Sequence, residues 1–337
     1  MTHSDTGKKI VVIGGGTGSF VMLSALKKHA KHLTAIVNMA DDGGSTGVLR
    51  DELGTLPSGD VRQCLVALSD SPKLRELFNY RFEEGTFGGH SFGNLFLTAL
   101  EKTTGSFAEA VQMASKVLRI QGTVIPATLD DVRLKMEWPD ASVILHGERV
   151  IDAEHFMHDP RKAELSLTPK PVVNPEAIKA IEEADLVVIS AGDLYTSLGP
   201  LLVIDGIGKA LHETKATVVY VCNLVTKQGQ TDGFTVSDHA AEIERFGDHD
   251  GFLDVVLYNQ QEPDAVLLER YEEEGSTMVA IDTDNLQNAP YRAVGANLLG
   301  EVDVTVHEQN EATKVPRTFI RHNAKEIAKQ LMKVLES

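Results

Sequence analysis

Residues 9–39, KIVVIGGGTGSFVMLSALKKHAKHLTAIVNM, decide the fold. KIVVIG is an unbroken apolar run that ends at Gly14, as a strand buried on both faces would. Residues 19–30 then place Phe20, Leu23, Leu26 and Lys27 at helical spacing, and LTAIVNM supplies a second strand. Strand, glycine-rich loop, helix and strand in that order open an α/β fold, a Rossmann-like doubly wound and mainly parallel sheet.

The same texture continues outward. Residues 60–118 are mostly helical, with breaks at Ser71-Pro72, Gly85–Gly93 and Gly105. VRLKMEW, Pro139-Asp140 and ASVILHGERVI then alternate at period two. They predict a small antiparallel hairpin insertion or subdomain over 130–155 within a single nucleotide-binding α/β domain spanning 1–337. Parallel texture resumes with a helix at NPEAIKAIEEA and a strand at DLVVISAGD. Residues 198–212 look helical, ATVVYVCN is a strand, SDHAAEIERFG is a helix with a Ser/Asp cap, and LDVVLYN is a strand. RYEEEG reads as a solvated turn, and NAKEIAKQLMKVLE as an amphipathic helix with Ile327, Leu331 and Leu335 on one face.

Composition narrows the function. The formal net charge of −17 over 337 residues argues against nucleic acid and anionic membranes, which need a basic footprint. No run approaches the ~20 apolar residues that cross a bilayer, so no membrane insertion is expected. No secretory leader is visible, and Cys64 and Cys222 form no CxxC pair and read as buried free thiols. A cytoplasmic protein follows. There is no H-E-x-x-H and no Cys/His cluster with zinc spacing.

The candidate site residues lie in loops at strand ends. Gly14, Gly15, Gly16, Thr17 and Gly18 form a phosphate loop at a helix N-terminus, where free N–H groups and close backbone approach favour an anion. Ser19 stands where the dinucleotide fingerprint requires glycine, and no Lys-Ser/Thr follows, so neither common nucleotide motif is complete. The second loop, NMADDGGSTGVLRDELG, brings Asp41, Asp42, Ser45, Thr46 and Arg50 to the same sheet edge. Asp41 and Asp42 are candidates to hold Mg²⁺ against a diphosphate, to bind a ribose hydroxyl, or to act as a base; an Asx turn is the plainer reading. Arg50 offers a phosphate fork. Asp60 is a candidate N-cap of the next helix. Arg62 sits in that helix's first turn, an unfavourable place for a cation unless an anion compensates it. Asn94 either reads a ligand amide or caps its helix, with His90 and Ser91 beside it. Asp193, Tyr195 and Thr196 follow one strand, with Tyr195 reading a ligand or packing by its ring; Asn223 follows another. Arg321 precedes the last helix.

IGGGTGSF, NMADDGGSTGVLRDELGTLPSGDVRQCLVAL, GHSFGNLFLTAL, DLYTSLGPLLV, CNLVTKQGQTDGFTVSDH and FIRH together resemble the gluconeogenesis factor family of bacteria, in order and over nearly the whole chain. That family is similar in fold to 2-phospho-L-lactate transferase, a magnesium-dependent enzyme of deazaflavin cofactor synthesis. The resemblance implies a Rossmann-like fold, a cytoplasmic protein, and a role in growth and cell shape on gluconeogenic carbon. It also implies a uridine diphosphate sugar as ligand, UDP-N-acetylglucosamine. Gly14–Gly18, Asp41, Asp42, Asp60, Asn94 and Arg321 match the family's motif positions. The chain departs from the pattern at Asp193 and Leu201, and at Ala324, where some relatives carry a phosphorylatable threonine. The residues favour a binder of nucleotide sugar that needs no cofactor. The alternative is a phospholactate-transferase-like enzyme in which Asp41 and Asp42 are catalytic and Mg²⁺ is the one candidate ion. A homodimer is expected on the frequency of two-fold assemblies.

Overall fold

A computed structural model describes residues 7–263, 268, 275–300 and 321–337. The charged run 270–274 read as a turn lies outside them.

The opening stretch folds as β1 (Lys9–Gly14), α1 (Gly16–Leu26) and β2 (His32–Val37). β1 pairs in parallel with β2 on one side and with β7 (Leu186–Ile189) on the other. β3 (Thr123–Pro126) follows β2; beyond β7 come β8 (Thr217–Val221), β9 (Val255–Asn259) and β10 (Arg292–Ala296). The result is a seven-stranded parallel sheet in the order β10-β9-β8-β7-β1-β2-β3. The chain leaves β1 first towards β3 and then towards β10, so the strand order reverses between β1 and β7. This is the doubly wound topology, and its crevice lies at the carboxyl ends of those two strands.

Strand alternation sorts the core into two layers. Ile10 and Val12 pack with α1, with α3 (Gly59–Leu68) and α6 (Phe107–Leu118), and with the C-terminal helix Ala324–Glu336. Val11 and Ile13 point to the other face, against α8 (Pro175–Glu182), α10 (Ile207–Glu213) and α11 (Val236–Gly247). Burial on both faces is why β1 and β7 are continuous apolar runs. Cys64 and Cys222 are buried free thiols.

The expected hairpin is present as β4 (Arg133–Trp138) and β5 (Val143–His146), paired antiparallel. A third strand, β6 (Glu164–Thr168), pairs with the other edge of β4, so the insertion is a three-stranded sheet running past residue 155. Its inner face places Leu134, Met136 and Trp138 in the second core layer. The tail of the expected hairpin is helical: Gly147 ends the strand, and α7 (Glu148–Ala153) follows. Among the described residues, no helix is long and apolar enough to cross a membrane.

Candidate functional site

The loop after β1 runs into α1, and the loop after β2 runs into α2 (Gly44–Leu53), so both glycine-rich stretches reach the crevice edge. The Gly14–Gly18 loop already has an anion on it. The Gly16 N–H donates to Asp60 Oδ1 at 2.9 Å, and Asp60 Oδ2 lies 2.0 Å from where a Cβ on Gly15 would stand. Asp60 is therefore not the cap of α3. Ser58 holds that position without a side-chain bond, and the Asp60 carboxylate reaches across to the start of α1.

Asp41 and Asp42 part company. Asp41 accepts from the Gly43 N–H at 2.9 Å and from the Thr46 hydroxyl. Its Oδ2 lies 2.7 Å from where a Cβ on Gly59 would stand, so that helix start closes over it. Asp42 turns towards the insertion. It accepts from the Arg149 N–H at 2.8 Å, in the first turn of α7, and lies 3.8 Å from Arg133. Asp42 thus caps α7, and only Asp41 of the pair faces the crevice.

Glu148, the first residue of α7, is the member missed in the sequence. The period-two alternation of ASVILHGERVI places it in a strand, although Gly147 followed by a first-turn acid is a helix-start signal. Burial and the charges of Asp41, Asp152, Asp42 and Asp60 push its carboxyl up to about 9. Burial and Asp41 push Asp60 up to about 7. Burial raises Asp41 against the hydrogen bonds that hold its charged form. Each of these carboxylates gains from a ligand hydroxyl or a cation nearby. Among the described residues, no three His, Cys, Asp or Glu side chains are arranged to hold a metal ion.

A polar relay links the starts of three helices. Ser45 Oγ lies 2.9 Å from His90 Nδ1 and accepts from Asn94 Nδ2 at 3.3 Å. Asn94 Oδ1 accepts from Arg62 Nε at 2.9 Å. Asn94 does not cap α5 (Phe92–Thr104); the Ser91 side chain does, accepting from the Asn94 N–H. Towards β8, Lys227 pairs with Asp152 at the end of α7 and with Asp193 at 3.2 Å, and Thr196 donates to Asp152 at 3.4 Å. Asn223 holds the Gly192 backbone from both sides, accepting at 3.2 Å and donating at 2.9 Å.

The remaining residues stand apart. Arg50 is 3% exposed and braces the loop from beneath, donating to the Asp41 and Val132 carbonyls at 2.8 and 2.6 Å and pairing with Asp131. It is not a phosphate fork. Tyr195 is 1% exposed, donates to Glu242 at 2.9 Å, and packs edge-on against Phe156 and Phe246. Its ring is core. Arg321 is exposed, its carbonyl accepts from the Gly300 N–H, and the next residue, His322, lies against the Cys222 carbonyl at the end of β8. A cavity of about 370 Å³ lined by Lys215, Asp254 and Arg292 lies at the amino ends of β8–β10, the edge away from all these groups.

The model of the family "2-phospho-L-lactate transferase CofD" matches residues 10–299. The chain is 44% identical over 330 residues to the "Putative gluconeogenesis factor" of a Nostoc species, covering 97% of this chain and 68% of that one. It is 38% identical to the "Gluconeogenesis factor" of Bacillus subtilis, covering 97% and 98%. A crystal structure of a upf0052 family member from Bacillus halodurans superposes with a TM-score of 0.85 at 37% identity, over 96% of this chain and 99% of that one. The loops that meet at the crevice all fall within the matched residues, and the chain belongs to the 2-phospho-L-lactate transferase CofD family and to the gluconeogenesis factor family of these relatives.

Proposed function

We propose that the protein is a cytoplasmic binder of a nucleotide sugar, UDP-N-acetylglucosamine, acting as a homodimer and required for growth and morphogenesis on gluconeogenic carbon. One observation carries the ligand class. Asp41, in the loop after β2, is held by Gly43, Thr46 and the start of α3, with Glu148 beside it and Asp60 linking it to the Gly16 N–H in the loop after β1. Crevices of this topology take nucleotides, and carboxylates there bind sugar hydroxyls. The relatives' name, gluconeogenesis factor, supports the link to gluconeogenesis alone. Calorimetry with UDP-N-acetylglucosamine tests the reading, and no heat at millimolar ligand would end it.

The family match favours a second reading, a transferase. Mg²⁺ often binds through one or two carboxylates plus substrate phosphate oxygens, a requirement that Asp41 meets and the divided pair Asp41–Asp42 does not. When bound, the ion would neutralise the diphosphate. In both readings Asp41→Asn abolishes ligand binding or turnover. Asp42→Asn acts through α7, costing about 1 kcal/mol of stability as a lost cap while leaving much of the binding. Equal loss of binding in the two variants would contradict this division.

A further inference from the structure

Arg62 occupies the first turn of α3, where the helix dipole disfavours a cation. Its side chain is fixed by neutral groups. The stem lies on α5 at Gly93, where an added Cβ would stand 2.6 Å from Arg62 Cδ. Nε donates to Asn94 at 2.9 Å and Nη1 to Asn79 at 2.6 Å. The charge that acts on it most strongly is a second cation, Arg81, ahead of either Asp60 or Asp41; burial and Arg81 together bring its guanidinium down to about 10.

Arg81 sits on the turn 80–91 between α4 (Pro72–Asn79) and α5, and donates to the Gly89 carbonyl. That turn is closed by the bonds of Phe82 N–H to His90 O and Gly89 N–H to Phe82 O, and its His90 meets Ser45 on α2. Among the described residues, every acceptor reached by either arginine is neutral. Two guanidinium groups therefore share one neighbourhood without an ion pair, next to the amino ends of α2, α3 and α5. Asp60 and Asp41 act on Arg62 only from a distance, and no carboxylate bonds either guanidinium, so a bound anion would gain charge-assisted hydrogen bonds that the neutral acceptors do not supply.

We propose that the junction of α2, α3 and α5 is an anion subsite that takes a phosphoryl group, with Arg62 and Arg81 as its two cations. It is distinct from the Gly14–Gly18 loop, where Asp60 already takes the Gly16 N–H. The assignment goes beyond the nucleotide-sugar reading, because it asks nothing of a base or a sugar.

Inorganic pyrophosphate is the probe, titrated by calorimetry into the full chain at low salt. Arg81 is exposed, so Arg81→Ala keeps the fold, which a melting curve checks. Wild type binds pyrophosphate, and Arg81→Ala weakens it roughly tenfold. Arg62→Lys keeps the charge but loses the planar fork set by Asn94 and Asn79, and weakens binding by a similar factor. A parallel titration with UDP locates the source of the anion. Parallel losses place the nucleotide's own diphosphate at the junction; unchanged UDP affinity assigns the junction to a second, phosphorylated partner. No pyrophosphate heat with wild type, or an unchanged affinity in Arg81→Ala, overturns the subsite. Neither result depends on whether UDP-N-acetylglucosamine binds.

Discussion

Asp41, Asp42 and Asp60 show how little an acidic residue's type says about its work. Asp42 caps a helix of the insertion, Asp60 caps the start of α1 from 44 residues away, and Asp41 faces the crevice. Asp60 is held at a cost. Its carboxyl titrates near 3.8 in a free chain and near 7 in the fold, because burial and Asp41 oppose its charge. Between those values the folded protein holds a proton that the unfolded chain has released, so stability falls as pH rises through the window. Asp60→Asn keeps an oxygen for the Gly16 N–H and removes the penalty. In metal-free buffer we expect it to stabilise the protein by on the order of 1–2 kcal/mol at pH 8, with little difference near pH 4. Melting temperatures at the two pH values check this, and a variant no more stable at pH 8 contradicts it. Loss of ligand affinity in the same variant would mark Asp60 as strain kept for function.

At the scale of elements, the α1–β7 contact is the tightest joint of the crevice. A Cβ on Gly18 would stand 1.7 Å from the Ala191 carbonyl oxygen, a backbone atom that has no rotamer to yield. Gly16 differs: its φ is +59° with open space around it, so alanine there meets conformational strain alone. We expect Gly18→Ala to cost about 3 kcal/mol or more and Gly16→Ala about 1–2 kcal/mol, read from urea midpoints. The glycine string was legible as a special loop, but its purpose was only half legible. Free N–H groups can be inferred from the glycines, whereas the Ala191 carbonyl against Gly18 and the Asp60 carboxylate on the Gly16 N–H cannot. Those are long-range contacts with no local signature. The same holds for β3 and β10. TVIP ends in proline and RAVGA contains glycine, so neither shows the apolar run that marked β1, β7 and β8; pairing at the sheet edges makes them strands. The helix α7 is a different case, since Gly147 and Glu148 did signal a helix start and the alternation before them concealed it.

For the whole molecule, the α/β order of the sequence set the doubly wound sheet, and the sheet sets which chain ends meet. The C-terminal segment shows how that closure depends on pH. In the sequence Arg321 and His322 stand just before the last helix, with the arginine either in reach of a diphosphate or covering the surface. In the fold, His322 Nε2 lies 3.1 Å from the Cys222 carbonyl at the end of β8, and residue 322 bridges to Leu299. The Asn323 N–H donates to Leu298, and the Asn323 side chain caps the C-terminal helix, which packs against α1. His322 is thus a clasp between the last helix and the sheet, and it fits as a neutral imidazole that donates through Nε2. Burial lowers its pKa from 6.5 to about 4. Between those values the unfolded chain takes up a proton that the folded chain refuses. The stability it contributes is full above pH 6.5 and is lost as the pH falls towards 4, up to roughly 2 kcal/mol. His322→Gln keeps a side-chain donor and has no such titration. Urea unfolding at pH 7.5 and pH 5 should show wild type losing more stability than the variant over that interval, while carboxylates elsewhere contribute equally to both. Identical pH dependence in the two proteins would mean that the imidazole is not held neutral and that the C-terminal helix is secured by its apolar face alone.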